Sequence, residues 1–275
     1  MAKFQCVDEL VKALHPIDPV YCLRKKSLKL AANWFKNNFP GDVLYAIKCN
    51  PADLVIKSLI KYGISHFDAA SIDEIKLIKK ISPSSTIYFM HPVKKESSIR
   101  DAYFSYGVKA YSYDSKEELE KILKVTKNAN DLELFLRIQA SNEHAEIDLS
   151  KKFGANNNEA ITLARVGRLK SKLFAFSFHV GSQCMHPIAY TKAIRNLGNI
   201  IKKSNIFPDI INVGGGFPTT YPDLYPQPIK NYFKEIKNAI KKLNLKKEPK
   251  LICEPGRALV AESGSTIVKI ELKKK

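Results

Sequence analysis

Eight short apolar runs, the first seven each followed by a stretch of helical periodicity, limit what this chain can fold into more than any other feature. "VLYAIKC" leads into "ADLVIKSLIKYG", "SHFDAAS" into "IDEIKLIKKI", and "STIYFMHP" into "KKESSIRDAYFSYG". "VKAYSYD" precedes "SKEELEKILKVT", where Ser115 and Glu118 have the spacing of a helix capping box. "LELFLRIQ" reaches "NEAITLARVGRL" through a longer polar connection, and "LFAFSFHVGS" precedes "PIAYTKAIRNLGNIIKKS". "IINVGGG" precedes "IKNYFKEIKNAIKKL", and "KLICEP" closes the series. The short runs are rich in Val, Ile, Leu, Phe and Tyr and mostly apolar on both faces. Strands covered on both sides by crossover helices have that composition, so a parallel sheet is expected. Eight such units in about 250 residues match an α/β fold of the TIM-type (β/α)8 barrel class. A doubly wound open sheet is the alternative, but no G-x-G-x-x-G turn follows the first strand.

In a barrel, functional groups gather at the C-terminal ends of the strands. Those ends present Lys48, Asp68, His91, Asp114, Arg137, His179, the run Gly214-Gly215-Gly216, and Glu254-Pro255-Gly256-Arg257. That set is too polar for a packing layer and reads as a site. Lys48 is the least ordinary member, because an ammonium at the end of an apolar strand either emerges into water or is held there for chemistry. Asp68, on the adjacent strand, is a candidate counter-ion. Three consecutive glycines offer backbone N–H groups for a phosphate, although a tight turn would also use one or two of them. Arg257 is a candidate phosphate or carboxylate contact, or a local partner of Glu254. His179 precedes Gly181 and Ser182, which would let a ligand approach. Glu74, six residues beyond Asp68, reads first as an ordinary carboxylate near a helix start. A lysine, a phosphate cradle and an acid in one mouth point to pyridoxal 5'-phosphate chemistry, with a Schiff-base aldolase as the rival.

Net charge is +18 over 275 residues. Nucleic-acid binding would explain such a balance, but the lysines are spread over nearly every helical stretch, and no arginine-rich or aromatic-interleaved basic tract occurs. Solvated helix faces are the favoured reading, with no nucleic-acid partner. No apolar run is long enough for a membrane span, and the N-terminus lacks the apolar core of a signal peptide. Five cysteines without a C-x-x-C pair argue against disulfides or a metal site, so a cytoplasmic protein is expected.

The motifs "YAIKCNP", "FDAAS" with "DEI", "FHVGSQ", "NVGGGFP" and "EPGRALVAE" occur in an order and spacing similar to those of the ornithine/lysine/diaminopimelate/arginine decarboxylase family. These are alanine-racemase-like pyridoxal-phosphate enzymes, and the chain looks most like the bacterial ornithine/lysine decarboxylase branch. The resemblance runs from about Val20 to Gly264. It implies that Lys48 carries the cofactor, that Glu254 pairs with the pyridine nitrogen, and that His179 stacks on the cofactor's face. Ser182, Gly214, Gly215, Gly216 and Arg257 then contact the phosphate, while Asp68, Glu74 and Arg137 surround the lysine and cofactor. The implied reaction is decarboxylation of L-ornithine to putrescine, in polyamine biosynthesis, by a homodimer. The implied organisation is an N-terminal extension (1–20), a pyridoxal-phosphate barrel (21–264), and the start of a further β-domain (265–275). Family members draw a catalytic cysteine, an aspartate and a tyrosine from that further domain. This chain alone is therefore expected to be incomplete or inactive in turnover. The alternatives are a non-catalytic pyridoxal-phosphate-binding or partner-binding remnant, or a decarboxylase of lysine or another diamino acid.

Overall fold

A computed structural model describes residues 3–140, 145–147 and 149–274. Eight parallel strands close into a barrel: β1 (Asp42–Ala46), β2 (His66–Ala69), β3 (Thr86–Phe89), β4 (Ala110–Tyr113), β5 (Glu133–Arg137), β6 (Leu173–Ser177), β7 (Ile210–Asn212) and β8 (Lys250–Cys253). Each pairs with its sequence neighbour, and β8 returns to β1 through Ile252 opposite Asp42 and Cys253 opposite Val43. The (β/α)8 barrel expected from the sequence is the fold observed.

Alternation along the strands explains the core. Tyr45, Phe67, Ile87, Phe89, Tyr111, Leu134, Phe176 and Ile211 belong to the large cluster between barrel and helices. Leu44, Tyr88, Ala110, Phe135, Ala175, Ile210 and Ile252 form a smaller cluster of their own within the barrel. Because side chains alternate, the residue two positions further on faces inward again. Those next positions are Ser112, Arg137, Ser177, Asn212 and Glu254, with Ala46 and Met90 as apolar exceptions, Met90 belonging to the smaller cluster; Asp68 takes the same place on β2. One apolar layer therefore plugs the barrel beneath one polar layer at its C-terminal end.

The crossover helices follow the amphipathic periods closely. Ile72–Ile81, Lys116–Val125, Asn157–Lys170, Ile188–Ser204 and Ile229–Lys242 each bury an apolar stripe against the strands. The Ser115 cap forms in half. Ser115 Oγ accepts from the Glu118 backbone N–H at 3.3 Å, but the Glu118 carboxylate turns inward to Lys94 and Lys121. Sequence reasoning placed Lys48 at the end of the first strand, and the structure sets it two residues beyond that end. β1 ends at Ala46, and Ile47–Cys49 form a 3-10 turn. The Asn50 N–H closes that turn on Ile47 O, Tyr45 Oη donates to Asn50 O at 3.0 Å, and Pro51 has no N–H to continue a ladder.

Two segments outside the barrel pair with each other. Val20–Leu23 lies antiparallel to Gly264–Ile267, with Arg24 donating to Glu262 O, Gly264 O and Ser265 Oγ. The boundary expected at residue 20 thus falls at the first residue of this small sheet, not at a barrel strand. A helix at Lys25–Asn38 then packs Leu28, Ala32 and Phe35 into the core before β1 begins.

Candidate active site

The polar layer assembles one connected cluster at the barrel mouth. Lys48 Nζ donates to Asp68 Oδ2 at 2.8 Å, with the lysine side chain half exposed and the aspartate buried. The turn carrying Lys48 lifts it from strand geometry and lets the ammonium reach across to β2. Burial works to lower its pKa, but the carboxylates of Asp68 and Glu254 outweigh that and hold it above the usual lysine range. Asp68 Oδ1 is buried and has no hydrogen-bond partner.

Glu254 follows β8, buried on the same inward face. Its carboxyl is pushed up to about 7, chiefly by burial and then by Asp68, with Lys48, the Asn212 amide and Arg137 opposing. Arg137, at the end of β5, lies 5.0 Å from the Phe153 ring, and burial lowers its pKa. His179 Nδ1 accepts the Gly181 N–H at 3.0 Å, which leaves any ring proton on Nε2. Burial, with Arg137 and Lys48 nearby, keeps this imidazole neutral by pushing its pKa well below the usual value.

The glycine run is built so that its carbonyls are occupied. Gly214 O accepts from Glu254 N at 2.8 Å, Gly215 O from Tyr190 Oη at 2.8 Å, and Gly216 O from Cys184 N at 2.9 Å. The N–H groups of Gly215 and Gly216 have no protein partner among the described residues. Gly214 and Gly216 sit at φ +69° and +95°, and a Cβ at either would collide with the carbonyl oxygen of Phe178 or Gly181. Arg257 stands beside this loop. Its guanidinium donates to Tyr221 Oη at 2.9 Å and Ser182 Oγ at 3.4 Å, and its buried Nε has no partner. It makes no pair with Glu254.

Some sequence candidates take structural places. Glu74 Oε2 accepts the Ala70 N–H at 2.7 Å while Ser71 Oγ caps the Glu74 N–H, so this carboxylate braces the start of the Ile72–Ile81 helix. Asp114 Oδ2 holds the Gly154 N–H at 2.9 Å, and His91 Nδ1 contacts the backbone of Val93. Sequence reasoning missed Asn212 and Tyr221. Asn212 carried a signal, being the polar residue that ends the apolar run "IIN" just before the glycines. Tyr221 lies in an irregular segment with none.

The residues fit pyridoxal 5'-phosphate. A charged lysine, a buried carboxyl with an orphaned oxygen beside it, two open backbone N–H groups and an unpartnered guanidinium nitrogen share one mouth. This combination defines the class as a barrel that holds a phosphorylated carbonyl cofactor. Residues 25–261 match the family described as pyridoxal-dependent decarboxylase, pyridoxal binding domain, and the chain belongs to that family. The chain is 31% identical to ornithine decarboxylase of Mus musculus over 257 residues, which is 90% of this chain and 53% of that one. It is 33% identical to antizyme inhibitor 2 of Xenopus laevis over 241 residues, 84% of this chain and 50% of that one. The structure of Paramecium bursaria Chlorella virus arginine decarboxylase bound to agmatine superposes with TM-score 0.81 at 28% identity, covering 94% of this chain and 69% of that one. The chain thus spans about half the length of the curated relatives it matches. No helix among the described residues is long and apolar enough to cross a membrane.

Proposed function

We propose that this chain is the cofactor-holding half of a decarboxylase acting on a basic amino acid, with L-ornithine the first candidate and putrescine the product. The observation that carries the reading is the Lys48–Asp68 pair, set in one mouth with Glu254 and the open Gly215–Gly216 N–H groups. Pyridoxal phosphate, when bound, supplies an electron sink for the pair of electrons left behind as the carboxylate departs. The roles follow from each group's surroundings. Lys48 is the amine for covalent attachment, and Asp68 orients it while keeping its charge balanced before the cofactor arrives. Gly215, Gly216, Arg257 and, through its hydroxyl, Ser182 would hold the phosphate with charge-assisted bonds. Glu254, buried and poised near neutrality, would pair with the ring nitrogen and share a proton with it. His179 is neutral and offers a flat face to stack on, without adding a positive charge that would oppose ring protonation. Arg137 balances the carboxylates of the mouth.

Among the described residues, the substrate's side-chain amine finds no acidic group in this mouth that is not already assigned. Recognition of that amine, and full turnover, then draw on groups beyond the barrel, as expected of a chain about half its relatives' length. The strand Gly264–Ile267, paired outside the barrel with Val20–Leu23, supports assigning residues 265–275 to a further β-domain that continues from it. A second reading, a non-catalytic binding protein, has one specific support: an antizyme inhibitor is as similar to this chain as the decarboxylases are. Borohydride reduction of the chain mixed with pyridoxal phosphate, followed by peptide mapping, tests the main reading. A label on Lys48 with little putrescine from ornithine is expected; label elsewhere or none refutes it, and brisk putrescine release by this chain alone refutes the division of labour.

A further inference from the structure

Asn212 ends β7 fully buried, on the inward face directly beside Glu254. Its Nδ2 donates to Glu254 Oε1 at 2.5 Å, and its Oδ1 accepts the Gly214 N–H at 2.9 Å. The remaining Nδ2 contact is Met90 Sδ at 3.9 Å. The amide cannot be reversed, because the Gly214 N–H demands an oxygen and thereby turns the NH2 group toward the carboxyl. Its neighbours lock the same arrangement from the other side, since Gly214 O accepts the Glu254 backbone N–H. The carboxyl that faces the cofactor ring and the loop that takes its phosphate are therefore joined through one side chain.

We propose that Asn212 is a positioning residue that couples the two anchor points of the cofactor, holding Glu254 Oε1 so that only Oε2 faces the mouth while pinning the first turn of the phosphate loop. The proposal rests on the cofactor reading above but concerns a contact present before the cofactor binds. Both jobs need a donor and an acceptor at opposite ends of one short planar group, which an asparagine amide has. An aspartate keeps the acceptor for Gly214 but loses the donor and sets a second carboxyl against Glu254. An alanine loses both. Because the amide donates to the ionised carboxylate more strongly than to the neutral acid, it opposes the upward push of burial on Glu254. Movement of the loop and ionisation of Glu254 are then linked, and linkage is reciprocal.

Nuclear magnetic resonance on the cofactor-free chain tests this. The Glu254 carboxyl carbon and the Asn212 side-chain amide should titrate with one shared midpoint near pH 7, and the Glu254→Gln variant should abolish both transitions. An Asn212 amide that stays still across the Glu254 titration overturns the proposal. In Asn212→Asp the Glu254 midpoint should rise by roughly one unit or more, as for like charges in contact, while an unchanged midpoint again overturns it. In Asn212→Ala, affinity for pyridoxal phosphate should fall roughly ten-fold or more, the loss typical of removing a bond to a charged group. A wild-type chain that shows the shared titration but never binds pyridoxal phosphate refutes the cofactor reading and leaves the Asn212 coupling standing. Binding without the shared titration refutes the coupling alone.

Discussion

Two lysines follow barrel strands on the same side of this molecule, and their surroundings differ in nearly every respect. Lys94, after β3, is buried to the tip of its side chain. Its ammonium donates to Ser112 O at 2.5 Å and His91 O at 2.9 Å and pairs with Glu118 Oε1 at 2.9 Å. Lys121 closes the cluster on Glu118 Oε2. Two hydrogen bonds and an ion pair thus hold the ammonium, and burial still pushes the pKa down to about 8 against the pull of Glu118. Lys48, after β1, has one partner, stands half exposed in the mouth, and has its pKa raised by two carboxylates. A buried lysine held on three sides is a tie between elements, here between the β3 loop, β4 and the helix Lys116–Val125. A lysine with one partner and an open side is available to a ligand. Burial alone does not separate structural from functional charge; the number of donors left over does.

Four experiments can break or sharpen that contrast. The largest effect belongs to Lys48→Ala, which should abolish reductive attachment of pyridoxal phosphate, while Lys94→Met should leave the label in place. Attachment surviving in the first variant, or lost in a folded second one, would erase the distinction. Next, Glu118→Gln should destabilise the chain by about 3 kcal/mol, because it leaves Lys94 charged and buried without its partner. Urea unfolding measures this, and a loss under 1 kcal/mol would mean that the backbone carbonyls suffice. The third effect is a pH dependence set by Glu254. Its folded pKa, near 7, lies above the ordinary value of 4.5, so the folded chain keeps a proton that the unfolded chain releases. Stability from this group is therefore full below pH 4.5 and falls as pH rises through 7, by up to about 3 kcal/mol. Glu254→Gln should flatten the unfolding free energy over that window, and an unchanged slope would place the effect elsewhere. The smallest change is expected for Lys121→Ala. This lysine is partly exposed and leaves Glu118 paired with Lys94, so its loss should cost about 1 kcal/mol or less. A larger loss in the same unfolding measurement would make Lys121 an equal member of the cluster.

Much of the mouth was legible because two rules coincide. Period-two alternation sets which residue of each strand faces inward, and the barrel rule sets which end matters. Asp68, Arg137 and Glu254 obey both, and Arg137 and Glu254 each follow an apolar inward residue two positions earlier, Phe135 and Ile252. Glu74 was harder, since a carboxylate at the third position of a helix serves a cap and a site equally well, and its bond to the Ala70 N–H favours the cap. Asn212 obeyed the same alternation and was passed over, because an amide beside a glycine run resembles a turn residue. Lys94 and Glu118 lie 24 positions apart and looked like two ordinary surface charges.

The order of strands and helices, the inward polar positions and the glycines with positive φ were determined by the sequence alone, because each depends on local period or on a missing Cβ. Only the tertiary structure decided which charges meet. Closing β8 onto β1 brings Glu254 within the field of Lys48, and the turn after Ala46 swings that lysine onto Asp68. Burial then sets the protonation of Glu254 and His179, and burial belongs to the assembled barrel rather than to any segment of it.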